Sequence, residues 1–357
     1  MSRIDSFLEL AVKQGGSDLH LVSGQSPRIR IGGTLHRVRF RELSVEDLDR
    51  MLAEVMTDGH REVLDDKLAV DFAYQAPGIG RFRANVYRHV RGTAVALRHV
   101  PDEAPSLDAL GMPSVVRSMI SQPRGLTLVT GPTGSGKTTT LAAMLDHINR
   151  TRRAHIVTIE DPIEFVHPSR GCVITQREIG MHSPSFTVAL RDAIREDPDV
   201  ILVGEMRDME TISLALTAAE TGAQVLGTLH TSGAPKTVDR ILNVFPARRQ
   251  DQIRTMLAES LTLLVSQQLV RVSGEGNRRR AAVEILVNTP AAASVIRAGS
   301  SHKLLSVIQA GAKVGMQSLD AVLKDLVHKG SISAQEAFEK AVDRAQFERL
   351  VTREEAA

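Results

Sequence analysis

Apolar residues at the start of the chain recur at helical spacing. Ile4, Phe7, Leu8, Leu10 and Ala11 predict an amphipathic helix over residues 4–13 that stops at Gly15–Gly16. The period then changes to two. Asp18-Leu-His-Leu-Val22, Arg28-Ile-Arg-Ile31 and Gly80-Arg-Phe-Arg-Ala-Asn-Val86 alternate in polarity between Gly and Pro punctuation, as half-buried antiparallel strands do. A helical stretch over Val45–Met56 separates them. Residues 1–98 thus read as a small α+β domain, followed by a Pro- and acid-containing linker over 99–113.

Beyond the linker, apolar runs alternate with helical patterns. Strands are expected at Leu126–Thr130, His155–Ile159, Val200–Val203 and Gln224–Leu229. Between them lie helices over Thr138–Asn149, from a Ser183-Pro184 cap to Asp197 before Pro198, and over Met209–Thr221 up to Gly222. This alternation predicts an α/β domain over residues 114–288, with a parallel sheet covered on both faces. The tail, residues 289–357, is helical. Thr289-Pro290 opens a helix ended by Gly299, and Leu319, Val322, Leu323, Leu326 and Val327 form a stripe closing at Gly330. Ser333 and Glu336 make a capping box for the last helix.

Composition narrows the function classes. At 357 residues the chain is long enough for two domains, at roughly 100–200 residues each. Its net charge of +2 and its 3% aromatics, with no Trp, argue against a dedicated nucleic-acid binder with stacking platforms. Cys172 is the only cysteine, which excludes an intrachain disulfide or a cysteine zinc site and fits a reducing cytoplasm. The charged N-terminal helix is no signal peptide, and no apolar run approaches the about 20 residues that span a bilayer. No direct membrane insertion is expected, so membrane association would come through partners.

The chemistry concentrates between strand and helix at Gly131-Pro132-Thr133-Gly134-Ser135-Gly136-Lys137-Thr138, a full G-x-x-x-x-G-K-[ST] phosphate loop continued by Thr139. Its glycines let successive backbone N–H groups face phosphates at a helix N-terminus. Lys137 then brings a point charge to the terminal phosphates of ATP, and Thr138 a hydroxyl to Mg2+. Pro198-Asp-Val-Ile-Leu-Val-Gly-Glu205 delivers Glu205 at the carboxyl end of a buried strand, the edge where parallel sheets bind ligands. Gly204 precedes it where an acid is usual. Ile159-Glu-Asp-Pro-Ile-Glu164 carries three carboxylates, one of them a credible base, with solvated loop charge as the alternative for each. His230 is placed either to hydrogen-bond a phosphate or water, or simply to cap its strand. Arg81, Arg83, Arg88, Arg91 and Arg98 form either a solvated face or a source of arginine for a neighbouring subunit's site. Arg278–Arg280, beside Gly274 and Gly276, read as an exposed hairpin tip without a role.

Together these motifs resemble the secretion ATPases, most closely the PilT-like retraction ATPases of the type IV pilus. The likeness also runs through Gly16-Ser-Asp-Leu-His-Leu21, Gly80-Arg-Phe-Arg83, the Asp box Ile159-Glu-Asp-Pro-Ile-Glu-Phe165, Arg195-Glu-Asp-Pro-Asp-Val200, Val203-Gly-Glu-Met-Arg-Asp208, Ala219-Glu-Thr-Gly222, the His box Gly227-Thr-Leu-His-Thr231 and Gly311-Ala-Lys-Val-Gly-Met-Gln317. The resemblance implies a homohexameric ring of subunits, each with a PAS-like N-terminal domain and a RecA-like P-loop NTPase domain. It implies an ATPase using ATP and Mg2+, cytoplasmic and peripheral at the inner membrane through a platform protein at the pilus base. It further implies Glu164 as the base, Glu205 and Thr138 at the metal, His230 near the nucleotide, and Arg83 and Arg98 acting from a neighbour.

Two departures stand out. Ala223 replaces an earlier His-box histidine, so a nucleotide-sensing contact is expected to be lost, and the retraction signature survives only as Ser294-Val-Ile-Arg-Ala-Gly299. Assembly ATPases carry a long extra N-terminal region and a four-cysteine zinc motif, and the lack of both here favours the retraction branch. An accessory or assembly ATPase, a subunit that binds ATP without turnover, and a RecA-like nucleic-acid motor are the alternatives.

Overall fold

Alternation in the first hundred residues builds one antiparallel sheet. The computed structural model describes residues 2–100, 103–274 and 278–355, with side chains to Thr352. Pro101 and Asp102 of the expected linker, Gly276 of the expected hairpin tip and the last two residues of the tail lie outside them. The chain forms two compact units, Met1–Glu103 with Pro162–Val166, and Ala104–Asp161 with His167–Ala357.

The first unit runs α1 (Arg3–Lys13), β1 (Asp18–Val22), β2 (Arg28–Ile31), β3 (Thr34–Arg37), α2 (Val45–Ala53), α3 (Asp58–Lys67), β4 (Ala69–Ala76), β5 (Gly80–His89) and β6 (Gly92–Val100). The sheet order is β3-β2-β1-β6-β5-β4, antiparallel throughout. Phe82, Ala84 and Val86 of β5 point into a core with Ile4, Leu8 and Leu48, while Arg81, Arg83 and Asn85 take the other face. The capping residues explain the helix starts: Ser44 and Thr57 accept from Asp47 N and His60 N, three residues on.

The second unit continues with α4 (Ser114–Ile120), β7 (Gly125–Thr130), α5 (Lys137–Thr151), β8 (His155–Glu160), β9 (Val173–Glu178), α6 (Phe186–Ala193), β10 (Val200–Val203), α7 (Met209–Glu220), β11 (Gln224–Leu229), α8 (Ala234–Asn243), α9 (Ala247–Ser260), β12 (Leu261–Arg271) and β13 (Arg279–Val287). The sheet order is β13-β12-β7-β11-β10-β8-β9. Every pair is parallel except β12 and β13, so the expected parallel sheet is in fact mixed, closed at one edge by a hairpin. β7, β10 and β11 are buried at every residue, which is why they read as continuous apolar runs rather than alternating ones.

α2 ends at Ala53 rather than Met56, and α6 differs from expectation at both ends. α6 begins after Ser185, whose hydroxyl accepts from Val188 N, because Ser183 is instead bridged to Ile179. It ends at Ala193 rather than Asp197, which has left-handed backbone at φ 53°. The tail adds α10 (Pro290–Arg297), α11 (Leu304–Ala310), α12 (Leu319–His328), α13 (Ala334–Lys340) and α14 (Ala345–Glu355). Ser333 caps α13, which is not the last helix, since extended backbone at Ala341 separates it from α14. Leu323, Leu326 and fully buried Phe347 cover Val270 and Ala282 of the hairpin. Burying side chains of this size contributes about 1.5–3 kcal/mol each.

Candidate nucleotide site

Because six strands of the second sheet run the same way, their carboxyl ends share one edge, and the chemically active residues gather there. Thr130 ends β7, and residues 131–136 turn from it into α5. Three glycines make that turn for different reasons. A Cβ on Gly131 would stand 2.2 Å from Gln267 O, and one on Gly136 would stand 2.9 Å from Gln267 Nε2. Gly134 has open space around it but needs φ 76°. Gly136 is the N-cap of α5, at φ 86°. The first turn of the helix therefore offers Lys137, Thr138 and Thr139 together with backbone N–H groups that a helix does not pair within itself.

Lys137 is nearly buried, at 8% exposure, and its ammonium donates to Gly131 O and Pro132 O at 3.0 Å each. Its Nζ also lies 3.4 Å from Nδ1 of His230, which follows β11 directly. The other imidazole nitrogen, Nε2, is 2.9 Å from Glu205 Oε1. Glu205 sits two residues beyond β10, and Arg207 Nε lies 2.5 Å from the same oxygen. Burial raises the Glu205 carboxyl, but the Arg207 hydrogen bond and the charges of His230 and Arg207 outweigh it, so its pKa falls below the usual value. Lysine, histidine, carboxylate and arginine thus form one line of contacts along the sheet edge.

Gly204 departs from the usual acid for a steric reason: a Cβ there would meet Ile159 O at 3.1 Å and Glu160 Cα at 3.3 Å. Glu160 is buried and accepts from Thr158 Oγ1 at 2.7 Å and Gln176 Nε2 at 3.2 Å. Glu164 follows in the same Asp-box stretch. Its stretch, Pro162–Val166, belongs to the first unit rather than to the sheet that carries Lys137. Arg83 and Arg98 are direct register partners on β5 and β6, and the rank continues through Asp18 and Arg30. Asp18 accepts from Arg98 Nε at 2.8 Å, and Asp71 lies 3.6 Å from Arg83 Nε, which offsets the like charges side by side.

The two sequence departures receive physical readings. Ala223 precedes β11, at the amino edge of the sheet, while the phosphate loop and His230 lie at the carboxyl edge. Six residues at about 3.3 Å each separate the edges, so a histidine at 223 would not reach the phosphate loop of its own chain. In the altered tail signature, Ile296 is core and Arg297 stands 3.8 Å from Glu259 on the surface of α9.

Two site residues escaped the sequence reading. Arg207 lies in the Val203–Asp208 stretch, where only its bond to Glu205 gives it a role. Gln267 sits in the polar run Ser266-Gln-Gln268 inside an otherwise apolar strand, a signal that buried polar groups are being satisfied there. Among the described residues, no cluster of three or more His, Cys, Asp or Glu is set to hold a metal ion. No helix among them is long and apolar enough to cross a membrane.

The family described as "Type II/IV secretion system protein" matches residues 1–339. The chain is 49% identical over 338 residues to the "Type IV pilus retractation ATPase PilT" of Pseudomonas aeruginosa, covering 95% of this chain and 98% of that protein. It is 50% identical over 316 residues to the "Twitching motility protein" of Neisseria gonorrhoeae, covering 88% and 84%. A crystal structure of the pilus retraction motor PilT with bound ADP superimposes with TM-score 0.91 at 42% identity, covering 98% of this chain and 100% of that one. With the family matching residues 1–339 and the fold shared over 98% of its length, the chain belongs to the type II/IV secretion system protein family, among its ATPases.

Proposed function

We propose that this chain is an ATP-hydrolysing motor subunit that powers type IV pilus retraction and hence twitching motility. The observation that carries the reading is the phosphate loop Gly131–Thr138 joined through Lys137 and His230 to Glu205 on one sheet edge. Backbone N–H groups of the loop and the α5 N-terminus cradle the phosphates, and Lys137 exchanges its loop carbonyls for phosphate oxygens. Hard oxygen donors suit Mg2+, which takes few protein ligands beside phosphates. Thr138, half-buried in the first turn of α5, and Glu205, kept ionised by Arg207 and His230, fit that ion and would hold it. When bound, the ion supplies charge neutralisation on the phosphates. Glu164 acts as the base that accepts the proton of the attacking water, with His230 hydrogen-bonding phosphate or water.

The subunits work as a homohexameric ring in which Arg83 or Arg98 of one subunit stabilises charge at the site of the next. The ring lies in the cytoplasm, peripheral to the inner membrane, and pulls on a platform protein at the pilus base. The test is deletion of the gene, with complementation by wild type and by Lys137→Ala. Hyperpiliated, non-motile cells rescued only by wild type support retraction driven by ATP. Bald cells would assign the chain to assembly, and rescue by Lys137→Ala would detach the function from the phosphate loop.

A further inference from the structure

Gln267 of β12 touches both ends of the phosphate loop. Ser266 is the register partner of Thr130, the last residue of β7, so Gln267 lies beside Gly131. Its backbone carbonyl occupies the place a Gly131 side chain would need. The side chain, at 2% exposure, crosses to the far end of the loop. There Nε2 donates to Ser135 O at 2.7 Å, and Oε1 accepts from Thr140 Oγ1 at 2.8 Å. A carbonyl can only accept, so the Ser135 bond fixes which end of the amide is nitrogen.

Peptide planarity gives that bond a consequence. In a trans peptide, C=O and the following N–H point opposite ways. Holding Ser135 O against Gln267 therefore turns the N–H of Gly136 away from the Gln267 amide. Gly136 carries no Cβ to restrain that peptide, so the direction depends on the bond from outside. From this geometry we infer that Gln267 is a positioning residue for nucleotide binding, setting the Gly136 N–H as a phosphate donor before the nucleotide arrives. Thr140 holds the amide in turn. The bond costs nothing at the moment of binding because it is already made in the folded chain.

The inference rests on reading residues 131–138 as the phosphate loop, and the test separates the two. Affinity for a fluorescent ADP analogue is measured for wild type, Lys137→Ala, Gln267→Leu, Gln267→Glu and Thr140→Val, with thermal midpoints of the unliganded proteins. Gln267→Leu is expected to weaken binding about tenfold and Thr140→Val about two- to fivefold, in line with losing one or part of one hydrogen bond. Gln267→Glu supplies a readout that simple space filling would not move. A protonated carboxyl donates to Ser135 O as the amide does, whereas a carboxylate cannot. Its affinity relative to wild type is therefore expected to recover as pH falls from about 8 to 6, since burial raises its pKa. Should Gln267→Leu fail to fold, the Gln267→Glu profile and Thr140→Val carry the test. Binding by Gln267→Leu within about twofold of wild type, or a Gln267→Glu profile parallel to wild type, would overturn the role of Gln267. Wild-type binding by Lys137→Ala would instead overturn the phosphate-loop reading.

Discussion

His230 and Glu205 meet across two neighbouring strands, Nε2 of one 2.9 Å from Oε1 of the other, while the second ring nitrogen, Nδ1, lies 3.4 Å from Lys137 Nζ. The histidine therefore links the residue that meets phosphate to the carboxylate held ionised beside it. Replacing His230 with Ala leaves Glu205 with Arg207 alone. The variant is expected to lose about a hundredfold in kcat, the scale seen when one preorganised donor is removed, with a smaller change in ATP affinity. The sign of its pH effect is also set. The folded pKa of Glu205 is depressed, so its contribution to stability is present above the unfolded value and lost as pH falls through the folded one. Without His230 the folded pKa is less depressed, so the loss is smaller and is complete at a higher pH, and thermal midpoints across the acid range read the difference.

Glu164→Gln separates the proposed base from the acid at the metal. An amide cannot accept the proton of the attacking water, so this variant should bind ATP with Mg2+ normally and turn it over at least about a hundredfold more slowly. Glu205→Gln should also weaken binding that depends on Mg2+. Normal turnover by Glu164→Gln, with Glu205→Gln inactive, would move the base to Glu205.

Arg83 and Arg98 stand side by side on the sheet of the first unit, each with a carboxylate partner of its own. Asp18 is buried, but the Arg83–Asp71 pair is exposed on both sides and worth about 0–1 kcal/mol, so exchanging it for a phosphate of the proposed neighbour would be inexpensive. Arg83→Ala is expected to bind ATP almost as wild type yet hydrolyse it about a thousandfold more slowly. Mixed with Lys137→Ala, it should recover activity, because some interfaces then join an intact arginine to an intact phosphate loop. Full activity of Arg83→Ala alone passes the role to Arg98.

Glu284 of β13 predicts a pH-dependent stability. Its buried carboxylate accepts from Ala234 N at 2.7 Å and from Leu319 N, so one side chain satisfies the starts of α8 and α12. Burial, the largest influence, raises its pKa, the two N–H donors lower it, and Asp320 raises it again. The net shift is upward. Its contribution is therefore fully present below the unfolded pKa and lost as pH rises through the folded one. Glu284→Gln keeps the acceptor without the charge and should flatten that decline as pH rises above the ordinary carboxylate range. Glu284→Ala strands both donors, at a cost of about 1–3 kcal/mol per group, and should melt earlier at every pH.

What the sequence determined by itself was local. The phosphate loop is legible because its glycines, Lys137 and Thr138 must be contiguous to curl one backbone around phosphates. β1, β2 and β5 are legible because one face is polar, and β7, β10 and β11 because both are buried. α3, with only Leu64 buried, has too few apolar positions to show a period. β12, eleven residues whose apolar positions are broken by Ser266-Gln-Gln268, cannot be told from a buried helix until β7 and β13 pair with it. The rest was decided by tertiary structure, since it depends on contacts between residues far apart in sequence. Only the sheet order sets Gln267 against Ser135 and His230 against Glu205, puts Ala223 at the far edge from the phosphates, and groups Glu164 with the first unit. A motif names the groups a site uses, but register and strand order decide which of them meet.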